Sequence, residues 1–450
     1  MGRLFGTDGV RGVANSELTP ELAFKLGKAG AHVLSESNKS KPVVLIGKDT
    51  RISGDMLEDA LSAGILAVGG NVIKVGVLPT PAVAYLVRHY NADVGVVISA
   101  SHNPFEYNGI KFFNGDGFKL DDDIEDQIED IIIRNTDVNS HITGDKLGRC
   151  LDADEDALEH YAKYLTETVD CDLTGKKIVL DCANGAAYKV AEMVYKMLGA
   201  DITVIGNKPD GLNINQACGS THPEKLQAEV VRQGAFIGLA YDGDADRLIA
   251  VDELGRLIDG DKLICICAKM LKDSGELKDD KVTATVMSNI GFHKYLENLG
   301  CSVDVTAVGD RYVLERMLET GCVIGGEQSG HIIFRNHSTT GDGILSSLQL
   351  VKAVLASGKK ASELSDEIEI YPQVLKNAKV KNENKNKYKN DPEIVEAIAK
   401  VEAEMEGSGR VLIRPSGTEP LVRVMIEGQD VNHITELAQD LAKLLTKRFG

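Results

Sequence analysis

No uninterrupted apolar stretch of about 18 residues occurs in this 450-residue chain, so no membrane-spanning helix is expected. A charged n-region followed by an apolar h-region is also missing, which excludes a signal peptide and makes the cytoplasm the expected compartment. The eight cysteines form no C-x-x-C pair and are scattered through a large chain. That argues against a disulfide framework and for reduced thiols, several of them (Cys182, Cys265, Cys267, Cys322) inside expected strands or helices. The formal net charge is −18, which argues against a general nucleic-acid or anionic-membrane surface, since that would need clustered Lys and Arg. A small anionic substrate is still compatible, because a local Arg/Lys pocket can bind phosphate inside an acidic protein.

What is present is a soluble globular composition, 43% hydrophobic and 26% charged, in a chain too long for one core. The 45 glycines suit an α/β fold with many tight strand–helix turns. One pattern occurs three times. A buried strand (Val43 to Gly47, Lys177 to Asp181, Thr283 to Asn289) is followed by a Gly-bounded one (Gly69 to Gly76, Gly199 to Gly206, Gly300 to Gly309). A third short apolar run follows, Val94 to Ile98, Phe236 to Tyr241 and Cys322 to Ile324, and each leads into a polar loop. Helical periods fall between the strands: Pro20 onward with Thr19 as N-cap, Gly54 to Val68, and an acidic surface helix at Asp121 to Asn135.

The expected fold class is therefore α/β: three similar domains with mixed, mostly parallel sheets, covered by helices, plus a smaller C-terminal α+β domain. The expected division is 1–150, 151–255, 256–370 and 371–450. In the last part, Glu393 to Met405 and His433 to Arg448 read as helices, and Gly409 to Arg414 and Leu421 to Glu427 as strands. Lys381 to Asp391, polar and without apolar period, reads as a loop or hinge.

The three polar loops carry chemistry at strand ends, where functional groups collect in such sheets. Ser99-Ala100-Ser101-His102-Asn103-Pro104 offers hydroxyls beside a histidine; Pro104 keeps Asn103 extended and a following helix from starting early, and Lys111 is within reach. Asp242-Gly243-Asp244-Ala245-Asp246-Arg247 sets carboxylates at alternate positions, a hard-cation site of the kind Mg²⁺ uses. An EF-hand is excluded: its sixth position is Arg247 instead of Gly, although Glu253 falls at the twelfth. In Gly325-Gly326-Glu327-Gln328-Ser329-Gly330-His331, the alternating Glu327, Ser329 and His331 suit vicinal hydroxyls.

Two further segments suit phosphate. Arg414-Pro415-Ser416-Gly417-Thr418-Glu419-Pro420, with Arg423 on the next strand, offers guanidinium, hydroxyl and turn N–H donors. Phe5-Gly6-Thr7-Asp8-Gly9-Val10-Arg11-Gly12 adds another arginine on a Gly-rich loop. Together the five segments suit phosphoryl transfer through a phosphoserine, a reaction that needs positioning and charge neutralisation.

In their order along the whole chain, RLFGTDGVRG at 3–12, ISASHNP at 98–104, DGDADR at 242–247, GGEQSGH at 325–331 and RPSGTEP at 414–420 resemble the α-D-phosphohexomutase superfamily. FGTDGVRG, GLNINQACGSTHPE at 211–224 and Gln328 resemble its phosphoglucosamine mutase branch more than the phosphomannomutase/phosphoglucomutase branch, which shares the same chemistry. The resemblance implies four domains around a central cleft and interconversion of glucosamine 6-phosphate and glucosamine 1-phosphate on the way to UDP-N-acetylglucosamine and the cell wall. It implies Mg²⁺ held by Ser101, Asp242, Asp244 and Asp246, and a hexose 1,6-bisphosphate as intermediate and activator. By the same resemblance, Ser101 is the phosphoserine, surrounded by Arg11, His102, Lys111 and Arg247, with Lys111 or His102 as acid/base. Glu327, Ser329 and His331 correspond to the sugar loop, and Arg414, Ser416, Gly417, Thr418 and Arg423 to the spectator-phosphate loop. Tyr107 departs from the pattern, standing where many relatives carry an acidic residue. The partner implied is a phosphosugar; oligomeric state is left open, a homodimer included.

Overall fold

The first, second and third sheets repeat one connectivity, seen in a computed structural model that describes residues 4–6, 8–35, 41–138, 142–405, 407–416 and 419–450. In each, a central strand lies parallel to the second and third strands of its copy, and a fourth runs antiparallel against the third. In the first copy the central strand Val43–Lys48 lies between Asn71–Val77 and Val94–Ile98, with Tyr107–Asn114 antiparallel to the latter. The second repeats this with Lys177–Asp181 between Asp201–Ile205 and Ile237–Tyr241, then Leu248–Val251. The third uses Lys281–Thr285 between Ser302–Thr306 and Ile324–Gly326, then Ile332–Phe334. Edge strands extend the first two sheets: Val10–Val13 and Cys150–Asp152 in one, Leu257–Ile258 in the other.

Val94–Ile98 and Ile237–Tyr241 are buried along their whole length, which explains why they read as continuous apolar runs. Helices cover them through their apolar stripes. Pro20–Ser35 packs on Gly54–Ala67, and Thr19 caps the former by accepting the Leu22 N–H at 3.3 Å. Asp122–Ile133 buries Ile128 and turns its acidic side outward. All eight cysteines are free thiols, six of them buried.

Three expectations change. Each chemical loop joins the third strand to its antiparallel neighbour, so no helix follows Pro104; Tyr107–Asn114 does, because its register with Val94–Ile98 takes up the backbone hydrogen bonds. The expected strand from Thr283 to Asn289 ends at Thr285, since Asn289 instead caps the helix Ile290–Asn298, accepting the Gly291 N–H. The strand expected at Cys322 to Ile324 lies at Ile324–Gly326, paired through Gly325 to both Thr283 and Ile333.

The chain forms two compact units, Met1–Met287 with Cys301–Asp366, and Ser288–Gly300 with Glu367–Gly450. The first holds the three repeated sheets. The second has a three-stranded antiparallel sheet, Leu421–Gly428 between Gln373–Lys379 and Gly409–Pro415, backed by the helices Pro392–Glu404 and Val431–Phe449. The polar segment 381–391 is not a free hinge. It folds as two short 3-10 turns and buries Tyr388, whose hydroxyl donates to the Ile413 carbonyl at 3.0 Å. One apolar ring anchors an otherwise polar stretch.

Candidate active site

Ser101 sits on the hairpin loop of the first copy in the left-handed region, φ 51°, which costs a non-glycine residue roughly 1–2 kcal/mol. The surroundings hold it there. Ser99 Oγ accepts the Ser101 N–H at 2.9 Å and donates to Asp49 at 2.6 Å. Asp49 also takes Arg51 Nε at 2.8 Å, and the rest of that guanidinium gathers the loop carbonyls of Ser101, Asn103, Pro104 and Tyr107. Asn215, from the GLNINQ segment of the second copy, donates to the Ser101 carbonyl at 2.9 Å and the Asn103 carbonyl at 3.2 Å. Tyr107, the departure noted in sequence, is exposed and begins a strand.

The loop of the second copy meets this one directly. At Gly243 a Cβ would lie 2.4 Å from the Ser101 carbonyl oxygen, so only glycine permits the approach. Ser101 Oγ then donates to Asp242 Oδ2 at 2.6 Å. Asp244 Oδ2 accepts from Thr80 Oγ1 at 2.6 Å and Lys111 Nζ at 2.9 Å. One ligand oxygen from each of Asp242, Asp244 and Asp246 lies within 4.8 Å of the others, and all three residues are buried. Burial and the neighbouring carboxylates push Asp242 well above the usual carboxylate range, and burial and Asp244 raise Asp246. Burial opposes ionisation of Asp244 too, but Lys111 and the Thr80 hydroxyl outweigh it and hold its pKa low. Asp244 Oδ1 and Asp246 Oδ1 are buried with no hydrogen-bond partner. Three close carboxylates with orphaned oxygens fit a hard divalent cation.

The third loop is tied to the second by backbone. Leu248 N donates to the Gly330 carbonyl at 3.0 Å, and Arg247 bridges His331. His331 lies 3.9 Å from Asp246 and 3.7 Å from Asp310, with both ring nitrogens buried and unpartnered. Glu327 accepts the Gly309 N–H at 3.0 Å, whereas Ser329 is exposed. Arg247 lies 3.9 Å from Asp246, its backbone N–H donating to Asp242 at 3.2 Å. His102, half-buried next to Ser101, has its pKa lowered to about 4 by burial and by the charges of Arg247 and Arg11. Arg11, expected on a Gly-rich loop, instead lies on the strand Val10–Val13, because its backbone pairs antiparallel with Gly109, and its side chain pairs with Asp8.

Within the second unit, Arg414 and Arg423 are direct cross-strand partners. Ser416 Oγ accepts the Glu419 N–H at 3.2 Å, Arg423 holds Glu419 at 3.0 Å, and Lys385 donates to the Ser416 carbonyl at 2.8 Å. Gly417 and Thr418 lie outside the described residues.

The four segments of the chain match family models described as phosphoglucomutase/phosphomannomutase: alpha/beta/alpha domain I over 2–139, domain II over 159–255, domain III over 259–371, and the C-terminal domain over 375–444. A phosphoglucosamine mutase from Alkaliphilus oremlandii is 56% identical over 450 residues, all of both chains. Those of Clostridium novyi and Caldicellulosiruptor bescii are each 57% identical, over all of this chain and 99% and 100% of theirs. The chain belongs to the phosphoglucosamine mutase family. The fold recurs in a Burkholderia thailandensis phosphoglucomutase/phosphomannomutase family protein, with TM-score 0.80, 23% identity and coverage of 99% and 97%. It recurs also in an Aspergillus fumigatus N-acetylphosphoglucosamine mutase solved with GlcNAc-6P and magnesium, with TM-score 0.70, 18% identity and coverage of 99% and 96%.

For a phosphoglucosamine mutase family chain, the residues that hold the site in place were harder to read than the loops. Asp49, Arg51, Thr80, Lys119 and Asp310 fall outside the five motifs, and only the fold brings them in. Asp8 is inside FGTDGVRG, where a second charged residue so close to Arg11 was the available signal. Among the described residues, no helix is long and apolar enough to cross a membrane.

Proposed function

We propose that this protein interconverts glucosamine 6-phosphate and glucosamine 1-phosphate through a phosphorylated Ser101 and a 1,6-bisphosphate intermediate. The observation that carries this reading is the Ser101 hydroxyl, 2.6 Å from Asp242 inside a buried three-carboxylate loop, in a chain 56% identical over its full length to a phosphoglucosamine mutase. The phosphoryl group leaves Ser101 Oγ for the sugar O1 hydroxyl: one P–O bond breaks, one forms, and the hydroxyl proton passes to a base. The bisphosphate then reorients and returns its 6-phosphoryl group to Oγ, which regenerates the phosphoserine and leaves the 1-phosphate.

Asp242, Asp244, Asp246 and Ser101 would hold Mg²⁺. When bound, that ion supplies neutralisation of the phosphoryl charge. Arg11 and Arg247 stabilise the remaining negative charge. His102 is supported as proton acceptor because burial keeps it neutral near pH 7. Burial alone would lower the Lys111 pKa, but Asp244 and Asp8 raise it, so Lys111 serves as a fixed cation against the transferring group. Glu327, Ser329 and His331 grip the sugar; Arg414, Ser416, Gly417, Thr418 and Arg423 hold the phosphate that is not reacting. The division at about 150, 255 and 370 belongs to this reading, as does work in the cytoplasm on a phosphosugar, without nucleic acid or membrane.

The test is ³¹P NMR of 1-phosphate formation from glucosamine 6-phosphate or mannose 6-phosphate, with Mg²⁺ and a trace of hexose 1,6-bisphosphate. Preference for the glucosamine substrate, lost in Ser101→Ala, is expected. Equal or better turnover of mannose 6-phosphate would overturn the substrate assignment.

A further inference from the structure

Seven side chains form one connected path behind the two catalytic loops. Lys111 Nζ lies 2.9 Å from Asp244 Oδ2 and 2.9 Å from Asp8 Oδ2. The other oxygen of Asp8 lies 2.7 Å from Lys119 Nζ, which reaches Asp310 Oδ2 at 2.5 Å. The same Asp310 oxygen is 3.7 Å from His331, and His331 is 3.9 Å from Asp246, two residues on from Asp244. Carboxylate and ammonium alternate from Asp244 through Lys111, Asp8 and Lys119 to Asp310, and side-chain exposure along the path runs from 1% to 22%.

Its members come from different parts of the fold. Lys111 is on the strand Tyr107–Asn114, and Lys119 is on the chain that turns back at Gly117 so that Phe113 bridges Lys119. Asp310 opens the helix Asp310–Thr320 in the third copy, directly after Gly309, whose N–H is held by Glu327. The loop proposed to grip the sugar thereby fixes one end of the path, and the loop that holds Asp244 fixes the other.

We propose that Lys119 and Asp310 are positioning residues for the phosphoryl-transfer site: they hold Asp8, and through Asp8 they hold the Lys111 ammonium on Asp244. The proposal rests on the mutase reading for the role of Lys111. Asp8 offers one oxygen to each lysine, and Arg11 is a third claimant on the same carboxylate. With Lys119 removed, Asp8 is free to rotate toward Arg11, and Lys111 loses the partner that balances Asp244. Directions of ionisation agree. Burial opposes charge at Asp8, Lys119 and Asp310, yet the opposite charges around them keep all three ionised. Lys119 and Asp310 lie on the stretch where opposite charges pair directly, so loss of either leaves its neighbour uncompensated.

Lys119→Met, Lys119→Arg and Asp310→Asn are compared with wild type in the Mg²⁺ and bisphosphate assay, with Asp122→Asn as control. Asp122 forms an exposed bridge to Arg311 between the same two copies at 2.5 Å, so its loss reports on general loosening. For Lys119→Met and Asp310→Asn, kcat is expected to fall about 100-fold, the scale of a small misplacement of reacting groups. KM should stay within about threefold and Ser101 phosphorylation by intact mass should be unchanged. Lys119→Arg should recover most of kcat, and Asp122→Asn should keep all of it. The double variant Lys119→Met/Asp310→Asn should be no slower than either single one. Unchanged kcat in Lys119→Met and Asp310→Asn, an equal loss in Asp122→Asn, or no recovery with arginine would overturn the proposal. If wild type prefers mannose or glucose 6-phosphate, the substrate reading fails by itself, and the same kcat and KM comparison is read on that substrate.

Discussion

Arg414 stands directly opposite Arg423 on neighbouring antiparallel strands, and Glu419, 3.0 Å from Arg423, offsets part of that positive charge. A phosphate bound at this pair gives both guanidinium groups a bidentate acceptor. Inorganic phosphate should therefore raise the melting temperature measured by calorimetry, by about 2.7 kcal/mol of stability at a hundredfold excess over Kd. In Arg423→Met the phosphate effect should vanish and KM for the phosphosugar should rise about tenfold or more. A phosphate response equal to wild type would remove Arg423 from the cradle.

Asp246→Asn should separate stability from activity. In chelator, Asp242, Asp244 and Asp246 repel one another, and Asp246 carries an oxygen with no partner. Replacing that carboxylate should raise the melting temperature of the metal-free protein by an amount worth roughly 1 kcal/mol or more. Turnover should fall at least about 100-fold, and added Mg²⁺ should stabilise the variant less than wild type. A variant less stable than wild type in chelator would contradict the repulsion argument.

Glu327 is the carboxylate on the loop proposed to grip the sugar, and an aminosugar carries partial positive charge near neutrality. Glu327→Gln keeps shape and the Gly309 contact but loses charge. Relative turnover of glucosamine and glucose phosphates should shift toward glucose by about tenfold, one lost charge-assisted contact. Equal losses on both substrates would end this account of specificity.

His293, on the helix Ile290–Asn298 of the second unit, has its pKa lowered to about 4 by burial and by Arg410. The unfolded chain therefore binds a proton here before the folded one does. Stability from this site is complete above the unfolded value of about 6.5 and declines as pH falls toward 4, by at most about 3 kcal/mol. His293→Gln should flatten that part of the curve in urea unfolding between those limits. An unaltered slope would show that other groups set the acid sensitivity.

The three hairpin loops, the helix that starts at Pro20 and the strand Lys177–Asp181 were legible because each is encoded within a few adjacent residues, whereas Arg11, expected on a loop, lies on a strand fixed by its pairing with Gly109. The hairpin after Pro104 was not: Tyr107–Asn114 is defined by its register against Val94–Ile98, a long-range property. The segment 381–391 misled through composition, since one buried tyrosine among lysines and asparagines decides its packing. Ser101, Asp242, Asp244 and Asp246 were readable as types in a motif, whereas Asp49, Arg51, Thr80 and Lys119 act across gaps in sequence that only folding closes.

Each loop that carries chemistry closes a hairpin, so its two ends are tethered to paired strands about 5 Å apart whatever lies between. Residues can be exchanged inside such a loop without moving a helix or shifting a sheet. One ancestral module could thus be copied and its copies given unlike tasks by rewriting only these short windows. The same property makes them natural cassettes for transplantation: a sugar loop from another hexose mutase should graft onto this chain with its register already defined by Ile324–Gly326 and Ile332–Phe334.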